Sequence, residues 1–389
     1  MTVPIGRALR IAAGHYTPFL VPPWTDATMT LAKRWLEGAD VSGARVALES
    51  RLDELAPGSA VATSSGRGAL ALALTPFGGR ESEVIIPSFT CGAVADAVLA
   101  AGCIPVLADV DEQLNLSAAG VEAAWSPSTV AVVVVHLGGV PAADARAIAS
   151  FAHEEGAVVV EDAAHAMYAD RARGWADATI FSTGLGKTVF GPGGGALVST
   201  APPPAIDDEP IEVVRRRLLR FVRRYAHPSR GRIGAALLGR VRPQAVDPVS
   251  IARCSDIDAA IAMEQLDRIE QIVGARRTHA SRWGELLEGL PVTLAPREGS
   301  TCTKVWAMAA DAATAAAIRS ALWRAGIETE DLYTPLHRRR PYERCARAPL
   351  PVTEATWNRV FTLPARPGLT ERDWKRIERA VARIRRTQT

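Results

Sequence analysis

Residues 158–187 read VVVEDAAHAMYADRARGWADATIFSTGLGK. The opening valines have the β-branched, apolar character of a buried strand, and the run ends in Glu161-Asp162. A strand ending this way delivers a carboxylate to the carboxyl edge of a sheet, where burial without a partner is costly. Something cationic is expected to meet it. After a second apolar run, Thr179 to Phe181, comes Lys187, 25 residues beyond Asp162 and one of four lysines in a chain with 45 lysines and arginines. An amine that has to form an imine cannot be replaced by arginine, because guanidinium is never deprotonated in proteins. Read singly, Asp162 is a helix N-cap and Lys187 a solvated loop charge. Their joint placement at the ends of two strands favours a shared site instead.

Working outward, Val84 to Ile86, Ile104 to Leu107, Val130 to Val135, Ala157 to Val160, Thr179 to Phe181 and Ala196 to Val198 are short apolar runs that predict buried strands. Stretches of helical length such as Ala93 to Ala101 and Ala143 to Glu155 lie between several of them. This βαβ series predicts an α/β fold with a mostly parallel sheet covered by helices, its ligands beyond the carboxyl ends of the strands. Residues 25–250 are assigned to this large domain, with a basic helical insert at about 205–250. Residues 251–284 are expected to form a linking helix, periodic from Asp256 to Val273. A small α+β domain is expected over 285–389, with strands at Lys304 to Met308 and Gly326 to Thr329. Its last helix, Glu371 to Arg385, places Trp374, Ile377, Val381 and Ile384 on one face.

The stretch Thr63-Ser64-Ser65-Gly66-Arg67-Gly68-Ala69-Leu70 adds a third element. It is a small-residue turn opening a helix, where unpaired N–H groups and the helix dipole suit a phosphate.

Several blocks in fixed order resemble the DegT/DnrJ/EryC1/StrS sugar aminotransferases, members of the fold-type I pyridoxal-phosphate (PLP) enzymes. They are SSGRGALALAL (64–74), EVIIPSFT (83–90), AGCIPVLADVD (101–111), VHLGGVPAAD (135–144), EEGAVVVEDAAHA (154–166), FSTGLGK (181–187), RCSDIDAAIAMEQL (253–266), YTPLH (333–337) and LP (363–364). The resemblance implies PLP as cofactor. It makes Lys187 the Schiff-base lysine, Asp162 the partner of the pyridine nitrogen, His165 a neighbour of the ring, and Ser65, Gly66 and Ser182 the phosphate site. Arg67 stands where a threonine is usual and is expected on the cofactor phosphate or a substrate anion. Cys91 stands where the family has an aromatic residue stacked on the ring. Ile251 replaces the family's asparagine two residues before Arg253, which leaves Arg253 and Ser255 of that block. His136, Arg253, Tyr333 and His337 are the expected substrate contacts, and no metal is expected.

The implied reaction moves an amino group from glutamate or glutamine to a keto-sugar, nucleotide-linked in the main reading. The alternatives are an eliminating dehydrase on the same scaffold, which typically carries histidine at the lysine position, or amination of a cyclitol ketone. A homodimer with shared active sites is implied too. The composition, 48% hydrophobic and 22% charged, is that of an ordinary soluble protein. Five scattered cysteines without a C-x-x-C pair favour a reducing, cytoplasmic setting. A net charge of +3 does not argue for nucleic acid. From Arg215 to Arg242, however, there are ten arginines and no acid, with Val214, Leu218, Phe221, Val222 and Tyr225 on one helical face. Such a helix either lies on an anionic membrane or packs its apolar face on the protein, and packing is the expected case.

Overall fold

The computed structural model describes residues 16–170, 174–225 and 249–388. Its strands are β1 (Ser59–Thr63), β2 (Glu83–Pro87), β3 (Ile104–Ala108), β4 (Thr129–Val135), β5 (Val158–Asp162), β6 (Ala178–Ser182), β7 (Gly195–Ser199), β8 (Val292–Leu294), β9 (Val305–Ala309), β10 (Ala346–Arg347) and β11 (Val360–Leu363). The helices are α1 (Asp26–Leu36), α2 (Ala44–Asp53), α3 (Gly66–Leu74), α4 (Gly92–Ala100), α5 (Ala118–Ala124), α6 (Ala145–Glu154), α7 (Ile211–Tyr225), α8 (Asp256–Leu266), α9 (Ile269–Leu287), α10 (Ala312–Arg324), α11 (Pro351–Thr356) and α12 (Glu371–Gln388).

Eight strands form one sheet in the order β1-β7-β6-β5-β4-β2-β3-β10. Every neighbouring pair from β10 to β6 is parallel, and β7 and β1 close the other edge antiparallel. The apolar runs are buried on both faces because helices cover both. Ala131, Val133 and Val135 of β4 join the cluster under α3 and α4, while Val132 and Val134 join the one under α5 and α6. Each such fully buried aliphatic side chain contributes about 1.5–3 kcal/mol. The mixed α/β class with a large, mostly parallel sheet is therefore as expected.

A second, antiparallel sheet has the order β11-β9-β8 and packs against α9, α10 and α12 through Trp283, Leu322, Phe361 and Trp374. The face of α12 read from the sequence is the buried one. Two local expectations change. Residues 256–273 are not one helix, since α8 and α9 are separated at Asp267 and Arg268, the latter with φ −115° and ψ 14°. The break lets α8 pack beside α1 and α2 while α9 runs on into the second core. Residues 326–329 form no strand: Ile327 makes a single bridge, to Thr17 near the start of the chain, and Thr17 N–H donates to the Gly326 carbonyl at 2.8 Å. In addition, β10 leaves the C-terminal region to pair with β3 at the far edge of the large sheet.

The basic helix α7 covers its own apolar stripe. Val214, Leu218 and Val222 are buried with Ala32 of α1 and Ile257 and Ile261 of α8, and the Phe221 ring lies 4.5 Å from that of Trp24. Arg217 is bidentate to Glu209 at 2.6 and 2.8 Å and also bonds Asp258. The apolar residues of this face are thus packed in the protein core, the expected case. The remainder of the Arg215–Arg242 segment, from residue 226 on, lies outside the described residues.

Candidate functional site

Parallel pairing of β5 with β6 sets Asp162 opposite Ile180, so the loop that follows β6 starts three residues beyond the level of the carboxylate, at Thr183. That loop is closed on itself. Thr183 N–H donates to Gly194 O at 3.1 Å, Gly191 N–H to Thr183 O at 2.7 Å, and the Thr183 hydroxyl to Gly193 O at 3.0 Å. Gly186, directly before Lys187, has φ +78°, a conformation glycine adopts at no steric cost. The Lys187 amine is thereby turned back toward the strand ends, where its Nζ lies 3.2 Å from Nε2 of His165.

Asp162 is 8% exposed, and its Oδ1 accepts the Ala164 N–H at 2.9 Å, a local turn of the kind a lone Asp would make. Burial pushes its carboxyl above the usual range, and the Lys187 ammonium is the strongest influence pulling it down. His165 is also buried. Burial first, then the charges of Lys187, Lys304 and Arg276, hold its pKa well below the ordinary value, so the imidazole is neutral. Its Nδ1 accepts the Gly138 N–H at 3.3 Å. A neutral ring whose Nδ1 accepts carries its proton on Nε2.

The third element closes the group. Ser65 is the N-cap of α3, its Oγ accepting the Gly68 N–H at 3.0 Å, so this hydroxyl already serves the helix. A methyl added to Gly66 would come within 2.7 Å of the Ser182 Cβ and 2.9 Å of its Oγ. Ser182 and the positive end of the α3 dipole therefore face one another across a gap only glycine permits. Lys187 thus meets His165 beyond the ends of β5 and β6, and the Ser65-Gly66 turn meets Ser182 at the end of β6.

The other candidates divide. Arg67 leans to the buried Asp96, 3.6 Å away, which also receives the Tyr342 hydroxyl. Cys91 caps α4 and packs on a cluster containing Phe89, Trp306 and Tyr333. Arg253 is half-buried beside the end of β1, where it bridges Thr63. The Tyr333 hydroxyl accepts the Lys304 ammonium at 2.8 Å, and that ammonium sits 4.4 Å from the ring centre. His337 bonds Glu354 at 2.6 Å. His136 is corrected: it is 1% exposed, its Nε2 bonds Glu161 at 2.8 Å and its Nδ1 accepts the Ala142 N–H at 2.9 Å. With both nitrogens engaged inside the protein it buttresses the strand ends and does not touch a substrate. Two residues were missed. Lys304 carried a signal, as one of the few lysines, while Arg276, buried behind Lys187, carried none.

The arrangement can hold a flat nitrogen heterocycle between a carboxylate and a phosphate cradle, with an amine beside it. Among the described residues no cluster of three His, Cys, Asp or Glu side chains could hold a metal ion, and no helix is long and apolar enough to cross a membrane.

Comparison with known proteins bears on this geometry. A model described as the DegT/DnrJ/EryC1/StrS aminotransferase family matches residues 44–382. DesV from S. venezuelae is 27% identical, over 91% of this chain and 93% of its own, with a TM-score of 0.71. DesI, solved in the presence of its TDP-sugar product, is 27% identical over 94% and 93%, with a TM-score of 0.72. A Streptococcus pneumoniae protein in its PLP form shares the fold at 22% identity, over 94% of this chain and 97% of that one, with a TM-score of 0.74.

Proposed function

Because the chain belongs to the DegT/DnrJ/EryC1/StrS aminotransferase family, and so is a PLP-dependent sugar aminotransferase, we propose that it aminates a nucleotide-linked keto-sugar using glutamate or glutamine as donor. The nucleotide link is supported by likeness to DesI, whose product is a TDP-sugar. A cytoplasmic homodimer with shared active sites is part of the same reading.

The residues present fit the cofactor. A buried carboxyl raised by its own desolvation calls for a cation, which a protonated ring nitrogen supplies. A helix N-terminus against Ser182, too tight for any Cβ, suits a phosphate. Once bound, PLP acts as an electron sink for the negative charge left when a substrate carbon loses its proton. Asp162 keeps the ring nitrogen protonated. Lys187 would attach the cofactor and, once its amine is free, would take the proton from the substrate carbon and deliver it to the cofactor carbon that bears the transferred nitrogen. Neutral His165 orients that amine through its Nε2–H. Tyr333 and Arg253 are retained as substrate contacts, with Lys304 bonded to Tyr333 and Cys91 beside the ring.

The observation that supports this reading best is the amine of Lys187 beside an uncharged imidazole and opposite a buried carboxyl. The test is a panel of nucleotide-linked keto-sugars and free cyclitol ketones with amide- or amine-labelled glutamine and glutamate. Label transferred to a nucleotide-linked sugar is expected; label carried only by a cyclitol would overturn the substrate class, and product without label would point to elimination.

A further inference from the structure

Helix α9 starts in the core of the large sheet, where Ile269 and Val273 are buried, and ends in that of the small one, with Ala280 and Trp283. Midway lies Arg276, 3% exposed. Its Nη1 donates to Thr303 O at 2.9 Å and its Nη2 to Lys187 O at 3.3 Å, while Nε has no partner among the described residues. No carboxylate there pairs with it.

A small, buried polar network surrounds these two bonds. The Thr188 and Thr303 hydroxyls lie 2.6 Å apart, and those of Thr301 and Thr303 donate to His165 O at 2.6 and 2.9 Å. Thr188 and Thr301 are fully buried. Residues 301–304, which lead into β9, are thus bonded directly to the loop of Lys187 and to the backbone of His165.

A buried cation without a counter-ion is expensive, and an apolar side chain of similar length would fill the space without that cost. Burial accordingly lowers the pKa of this guanidinium, to about 10. Packing alone does not account for a guanidinium at this position. What a guanidinium adds over methionine is two carbonyls held at once, one on each side of the junction between sheets.

We propose that Arg276 is a positioning residue that fixes the backbone of Lys187 to residues 301–304, so that the small sheet sets the reach of the cofactor lysine. This rests on reading Lys187 as the cofactor lysine.

The test uses the full chain and its Arg276→Met and Arg276→Lys variants, each mixed with PLP and trapped with borohydride over time. Attachment at Lys187 is read by peptide mass, and amide exchange is followed across 183–191 and across β4. Arg276→Met is expected to slow attachment about 10- to 100-fold, as for a displaced catalytic group. Exchange should rise at 183–191 and stay unchanged in β4. Arg276→Lys, which keeps the charge but not the two-pronged hold on both carbonyls, should recover only part of the rate. Wild-type attachment in the Arg276→Met protein, or in Arg276→Lys should the former not fold, would overturn the proposal. So would an equal rise of exchange in β4, the mark of general loosening. Failure of the unaltered chain to label at Lys187 would overturn the cofactor reading itself.

Discussion

Lys187 Nζ stands 3.2 Å from His165 Nε2, and the imidazole that meets it is uncharged. Because burial and neighbouring cations depress its pKa, the unfolded chain binds a proton at His165 more readily than the folded one. Stability is then full above about pH 6.5 and is lost as pH falls below it. Melting curves at pH 8 and 5.5 should show a larger loss for the wild-type chain than for His165→Gln; parallel losses would mean that His165 is charged in the fold.

Replacing Lys187 with Arg keeps the charge but removes a base that can give up its proton. Turnover should fall by about 10²–10⁴-fold or more. The lysine-bound absorbance of the cofactor should vanish, and its survival would move the attachment point elsewhere.

Asp162→Asn separates stability from function. The folded carboxyl is raised, so its ionisation opposes folding as pH rises above the unfolded value of about 3.9. The cofactor-free variant should melt at the same temperature as wild type or higher at pH 7.5, with the difference shrinking toward pH 4. Its turnover should nevertheless drop by about 10²-fold or more, because the ring nitrogen has lost its partner. A variant that melted lower and turned over normally would reverse the assignment.

At Gly66 the prediction concerns space. A methyl 2.7 Å from Ser182 Cβ forces the first turn of α3 away from β6. Gly66→Ala should fold yet bind PLP at least about tenfold more weakly in a fluorescence titration, equivalent to about 1.4 kcal/mol. Unchanged affinity would place the phosphate elsewhere.

Arg217 carries a structural load on α7. Burial alone would lower its pKa, but Glu209 and Asp258 reverse the effect and hold the guanidinium charged. Asp258 and Glu209 are themselves nearly inaccessible, at 1% and 7%. Arg217→Met should cost about 3–5 kcal/mol in denaturant unfolding, since it strands two buried carboxylates. Arg216→Met, on the exposed side, should cost less than about 0.5 kcal/mol.

The sequence showed the large sheet because valine-rich strands buried on both faces leave an unbroken apolar signature, as in Val130 to Val135. It showed Asp162, Ser182 and Lys187 because each sits at a strand end or in the loop just beyond, where spacing along the chain maps onto spacing in the sheet. The break between α8 and α9 left no such mark, since both helices keep the same apolar period on either side of Asp267. His136 misled for a related reason: a strand-end histidine looks alike whether it points into a cleft or, as here, into Glu161. Arg276 was invisible because its partners are backbone carbonyls from segments 89 and 27 residues away.

β10 is only two residues long, yet it carries the chain from the C-terminal region back to the rim beside β3, while Thr17 ties the beginning of the chain to Ile327. Each lobe therefore borrows backbone from the far end of the other. A nick in the connector near Arg268 would not release two independent pieces, because either fragment would depart with part of its neighbour's scaffold; the polypeptide is interlaced and unfolds as a whole.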